Sequence, residues 1–233
     1  MIGGTDEIKR PATMDHKNAD GRTEILKHIA AANRGQPPLP EHEIREMLEQ
    51  LPRNYQQKGA LPQAEVLELF EKRLIEYDAH VEHCTADEIS RTVGSMLRLR
   101  GLARIAVPAG FSKEWLPSGL EILSSEGMDA LELASCEGVL TGATAGIAET
   151  GTVVLQGVPG QGRRADTLVP DYHLCVVLVA DVVQTVPEAF LRLKATKILP
   201  TTFISGPSAT ADIEMTRIKG VHGPRVFDVL LVH

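Results

Sequence analysis

The chain predicts an α/β fold, a mostly parallel sheet flanked by helices, on three observations. Residues 81–107 read as strand, capped helix, strand: Val81 to Cys84, then Thr85 to Glu88 as a capping box, then the apolar face Ile89, Val93, Met96 and Leu97. Gly101 stops that helix and Ala103 to Val107 supplies the next strand. Two strands joined through a helix in 27 residues form a βαβ unit, and such a crossover makes its strands parallel. Leu174 to Val179 is apolar without alternation, the pattern of a central strand covered on both faces. The rest of the second half adds strands at Gly138–Leu140, Thr152–Leu155, Thr202–Ile204 and Val226–Val232, with turns that allow some antiparallel hairpins.

The N-terminal quarter has a different character. Residues 1–20 are polar and aperiodic and read as a loose arm. Residues 22–34 and 41–51 read as two short helices, separated by a run containing Pro37, Pro38 and Pro40 that no helix can cross. Residues 52–61 form a linker. The organisation expected is therefore an arm with short helices over 1–61 and an α/β domain over 62–233. That domain opens with a helix at 62–77, where Val66, Leu69, Phe70, Leu74 and Tyr77 repeat at helical spacing. Pro187 begins a further helix running to Leu193.

Composition narrows the function classes. The 233 residues are 43% hydrophobic and 24% charged, which are globular values, and the net charge of −7 argues against general nucleic-acid binding. No apolar run approaches the roughly 20 residues needed to span a bilayer, and the first residues do not resemble a secretion signal, so the expected location is cytoplasmic. Cys84, Cys136 and Cys175 are scattered, with no C-x-x-C pair, and read as buried free thiols; no metal or cofactor site is expected in this chain. A Walker A sequence, a G-x-G-x-x-G after a strand and a G-x-S-x-G are all missing.

Chemistry concentrates in three segments. Residues 202–224 read as a strand end, a tight turn, a short helix and a second glycine turn. Ser205, Ser208 and Thr210 would bring hydroxyls to a helix start whose free N–H groups favour a phosphate or carboxylate, with Gly206 letting the backbone approach it. The same residues also suit a plain helix cap and turn. In this segment His222 stands between glycines and Pro224, placed as a proton shuttle, an anion contact, a metal ligand or a structural histidine, and Asp212 and Glu214 point to different faces and cannot share an ion.

The second segment is the polar run 141–152, which enters an apolar strand and contains Glu149, Thr150, Gly151 and Thr152. Glu149 there is a candidate nucleophile or general base, or a carboxylate that fixes the turn. In the third, Arg163 and Arg164 follow the glycine-rich stretch Gly157–Gly162, a pair suited to bidentate anion recognition under a closing loop, or to a solvated surface. Both polar turns are expected beyond the carboxyl ends of the strands. A site built from Glu149, Ser208 and His222 assumes that they converge in space.

The segment Ile147 to Thr152, the spacing of Arg164, Leu168 and Pro170 ahead of His173, and the runs Ser205 to Glu214 and Gly220 to Pro224 together resemble the LUD-domain family. The resemblance implies a fold related to phosphosugar isomerases, CoA transferases and formyltetrahydrofolate cyclo-ligase. It also implies a part in oxidising L-lactate to pyruvate, as one of three proteins whose two partners carry the iron–sulfur clusters. Three functions follow: a non-redox component that binds a small carboxylate or docks those iron–sulfur subunits, which is favoured; a CoA-transferase-like enzyme using Glu149; and a metabolite-sensing module. Whether the chain is itself catalytic, and whether it forms a homo-oligomer, stay open at this point.

Overall fold

The computed structural model describes residues 15–32, 39–194, 199–211, 217–219 and 222–233. The chain divides into two compact units at Asn54/Tyr55. The first holds α1 (Asp15–Ala32) and α2 (Glu41–Gln50), parted near the proline run as expected. The first of these begins at Asp15, inside the segment read as a loose arm. Gly21 and the polar residues around it weaken the helical signal without preventing the helix. In α2, Ile44, Met47 and Leu48 lie at helical spacing and are exposed.

The second unit opens with α3 (Gln63–Glu76), β1 (His80–Cys84) and α4 (Ile89–Leu99), the last preceded by a turn of 3-10 helix in which Thr85 and Glu88 form the expected capping box. Next come β2 (Arg104–Val107), β3 (Glu121–Ser124), α5 (Ala130–Ala134), β4 (Gly138–Gly142), β5 (Ala145–Ile147) and β6 (Thr152–Gln156). The chain continues through β7 (Tyr172–Leu178), β8 (Val182–Val183), α6 (Val186–Lys194), β9 (Thr201–Ile204), β10 (Ala209–Ala211), β11 (Arg217–Lys219) and β12 (Val226–Val232).

Six strands form a wholly parallel sheet in the order β1-β12-β7-β4-β2-β3. The βαβ unit does deliver β1 and β2 to one parallel sheet, yet β12, β7 and β4 lie between them. Burial explains the order. The almost wholly buried strands β7 and β12 take inner positions, whereas β1, with His80, Glu82 and His83, tolerates the edge. Side chains of β7 alternate between two cores. Leu174 and Val176 join Ile89, Val93 and Leu97 of α4 on one face; Cys175 and Val177 meet Val66, Phe70 and Leu74 of α3 on the other.

A smaller sheet, ordered β8-β5-β6-β9, packs on the α3 side, where Val153, Leu155 and Val182 enter the same core. It contains the antiparallel pairs β5/β6 and β6/β9, the hairpin character anticipated from the turns. All three cysteines are free and buried; burial pushes the Cys175 thiol up to about 12. Among the described residues no helix is long and apolar enough to cross a membrane.

Candidate functional site

Two of the polar turns meet at the end of α3. Gly151 and Gly206 both have positive φ, +56° and +77°, and both press against the last turn of that helix. A Cβ on Gly151 would lie 2.8 Å from the carbonyl carbon of Arg73, and one on Gly206 would lie 2.4 Å from the carbonyl oxygen of Tyr77. This close approach aligns three hydroxyls in a chain: Thr150 Oγ1 to Thr152 Oγ1 at 2.7 Å, and Thr152 Oγ1 to Ser205 Oγ at 2.7 Å. Ser205 ends that chain at an exposed position on the rim of a cavity.

A second pair of segments is tied just beyond. The Ser208 N–H donates to the Pro224 carbonyl at 2.8 Å, and the His222 N–H donates to Ser208 Oγ at 3.2 Å. Ser208 therefore orients the backbone of His222. The short helix expected after Pro207 is instead a strand, with Ala209, Thr210 and Ala211 of β10 paired antiparallel to Lys219, Ile218 and Arg217 of β11. That pairing satisfies the backbone groups a helix would have used, so the helix-end argument for an anion at Ser208 and Thr210 does not hold. The readings of Asp212 and Glu214 lie outside the described residues.

The third segment separates its two arginines. Arg163 is a bracket: its backbone N–H, Nε and Nη2 donate to buried Asp166, and Nη2 also reaches the carbonyls of Ser125 and Met128. Ser125 Oγ donates to the same carboxylate at 3.0 Å. Asp166→Ala is expected to lower unfolding free energy by about 2 kcal/mol, because it strands several donors at once; urea titration measures it. Arg164, by contrast, is exposed and has no ion pair among the described residues. Of the arginine pair, only Arg164 is free to meet a ligand.

These parts enclose a cavity of about 190 Å³, with Arg164, Thr167, His173, Ser205, Ser208 and His222 on its wall beside Phe203 and Phe227. Its position differs from the expectation for the Gly206 turn. His173 and Phe227 are register partners at the second positions of β7 and β12, so the cavity lies at the amino ends of these strands. The Arg225–Asp171 ion pair, with Nε 2.6 Å from Oδ1, pins the two entering chains together and holds the Asp171 carboxyl below the usual range.

His173 and Thr167 also line this cavity, and neither carries a site role from sequence. His173 is fully buried, shares a 2.8 Å hydrogen bond between Nε2 and Thr141 Oγ1, and packs its ring against Phe227. Burial depresses its pKa to about 3, which keeps the imidazole neutral. The available signal was a histidine one residue inside a strand that is otherwise unbroken and apolar.

Of Glu149, Ser208 and His222, which the sequence reading assumed to converge, Ser208 and His222 share the cavity wall, with Arg164, Ser205 and Gly206 beside them. Thr150, Gly151 and Thr152 stand behind Ser205 as its support. Glu149 is placed elsewhere: exposed, it accepts a hydrogen bond from Gln184 Nε2 at 3.2 Å, while its backbone N–H donates to the Gln184 carbonyl. No group of three His, Cys, Asp or Glu side chains suited to a metal occurs among the described residues. One free guanidinium, several hydroxyls and a neutral imidazole in so small a space suit a short organic acid carrying a second oxygen function.

Known proteins share this arrangement of chain. The LUD domain family model matches residues 64–232. A lactate utilization protein C from Deinococcus radiodurans is 39% identical, covering 92% of this chain and 96% of its own. Another, from an Exiguobacterium species, is 30% identical over 96% of this chain and 98% of its own. The crystal structure of a DUF162 family protein from Deinococcus radiodurans aligns with a TM-score of 0.66 at 37% identity, covering 75% of this chain and all of that one. On the span of the domain match and the full-length similarity to these relatives, the chain belongs to the LUD-domain family.

Proposed function

We propose that this chain serves lactate utilization, holding a small 2-hydroxy or 2-oxo acid in the cavity between Arg164 and Ser208. The observation that carries the reading is Arg164, a guanidinium without an ion pair among the described residues, beside a run of hydroxyls in a cavity of about 190 Å³. Such a volume falls below the roughly 300–1,000 Å³ of pockets for drug-sized ligands. The guanidinium would take the carboxylate in two parallel hydrogen bonds, and Thr167, Ser205 or His173 the second oxygen. The names of these two relatives support the choice of lactate.

Electrons from such an oxidation would leave through iron–sulfur clusters in partner proteins. Phe190 and Phe203 stack with centroids 5.8 Å apart, both half-exposed, and Phe203 also lines the cavity. An exposed aromatic pair at the rim suits docking of a partner over the bound acid. Acyl transfer through Glu149 has weaker support, because that carboxylate sits outside the cavity. Glu149→Gln is expected to leave acid binding unchanged.

Isothermal titration with L-lactate, pyruvate and acetate tests the reading. Arg164→Ala is expected to weaken binding of the two- and three-carbon acids by about 10- to 150-fold, the range for a charged hydrogen bond of about 1.5–3 kcal/mol. Equal affinity of wild type and Arg164→Ala for lactate and pyruvate would remove the site assignment.

A further inference from the structure

The carboxyl side of the parallel sheet holds a second and larger cavity, of about 850 Å³. Connections from β2 run outward to β3, whereas those from β4 run the other way to β7, so the chain reverses direction between neighbours β2 and β4. In open α/β sheets ligands bind in the crevice that such a reversal opens. Here the glycine-rich stretch 157–162 fills part of that crevice. Gly160 N–H donates to the Ala109 carbonyl at 2.8 Å, and Gly142 N–H donates to the Gly160 carbonyl at 2.9 Å. A Cβ on Gly110 would strike Pro159 at 2.4 Å, so the loop is already clamped down rather than waiting to close. The cavity beside it is therefore preformed.

Its walls divide by chemistry. Pro108, Ala109 and Val158 offer apolar surface against which a flat ring can lie. Glu126, in the turn after β3, is exposed and its carboxylate has no ion pair among the described residues; it is an open acceptor for hydroxyl donors. Arg164 lines this cavity as well as the smaller one and is an open donor for an anion. A carboxylate after a parallel strand is the usual acceptor for a ribose diol, and a guanidinium the usual clamp for a phosphate.

We propose that the cavity beyond β2 and β3 binds a ribonucleotide, with its base on the Pro108–Val158 surface, its ribose hydroxyls on Glu126 and a phosphate on Arg164. This goes beyond acid binding but shares Arg164 with it, so ADP and L-lactate are expected to compete for that guanidinium. Ser208 and His222 line only the smaller cavity, while Ala109 and Glu126 line only the larger.

The test is calorimetric titration of the full chain with ADP and with 2′-deoxy-ADP. ADP is expected to bind at least tenfold more tightly than its deoxy counterpart, and Glu126→Ala to remove that preference. Ala109→Trp, at an exposed position on the cavity wall, is expected to cut ADP affinity more than 30-fold by filling the space. Neither variant should alter the L-lactate titration. The proposal is overturned if ADP fails to bind at millimolar concentration, if deoxy-ADP binds equally well, or if ADP affinity is the same in wild type, Glu126→Ala and Ala109→Trp.

Discussion

Replacing Gly206 by valine is expected to destabilise the domain by about 4 kcal/mol, from two costs that add. A β-branched residue at φ +77° carries strain of about 1–3 kcal/mol, and overpacking against a neighbour costs about as much again. The neighbour is the Tyr77 carbonyl at the end of α3, which is backbone and cannot swing aside as a side-chain tip would. Gly119 provides the control. Its φ is +81°, yet a Cβ there meets nothing within 4 Å, so Gly119→Val isolates the strain alone. Urea unfolding of both variants separates the two costs, and equal losses would show that the Tyr77 contact is unimportant. Read from sequence, Gly206 suggested space for a ligand; in the structure its missing side chain makes room for α3. Damage to the acid cavity in Gly206→Val is thus expected to follow from damage to the fold.

Acidification is expected to weaken the native state through His173. The unfolded imidazole titrates near 6.5, and burial holds the folded one down to about 3. Between those values the unfolded chain takes up a proton that the native chain does not. Stability from this residue is therefore complete above about pH 6.5 and declines as pH falls toward 3. The loss amounts to about 2 kcal/mol at pH 5 and about 4 kcal/mol at pH 3.5. His173→Gln retains an amide able to bond Thr141 but cannot take up the proton. The difference in unfolding free energy between wild type and His173→Gln should shift with pH over this window, and a difference constant from pH 7 to pH 4 would refute the assignment.

Legibility from sequence differed by element. The helix at Gln63–Glu76, the capping box at Thr85–Glu88 and the central strand, read at Leu174–Val179 and observed at Tyr172–Leu178, were readable because periodicity, cap chemistry and unbroken apolarity are local signals. The segment after Pro207 was misread as a helix because its β pairing comes from Arg217 to Lys219, and a short polar run carries no period of its own. Within the arginine pair, nearby Asp166 could have served either Arg163 or Arg164. The distinction rests on Asp166 and on the carbonyls of Ser125 and Met128, more than 30 residues upstream.

What this sequence determined by itself is the α/β class and the family, since each is written in short runs of residues whose preferences act over a few positions. Tertiary structure alone decided that β12 and β7 separate β1 from the rest of the sheet, that Ser208 and His222 meet while Glu149 stays apart, and that buried His173 faces the same cavity as Arg164. Those outcomes depend on which surfaces exclude water together. Hydrophobic burial is not directional, so it brings distant segments side by side in ways that no local pattern encodes.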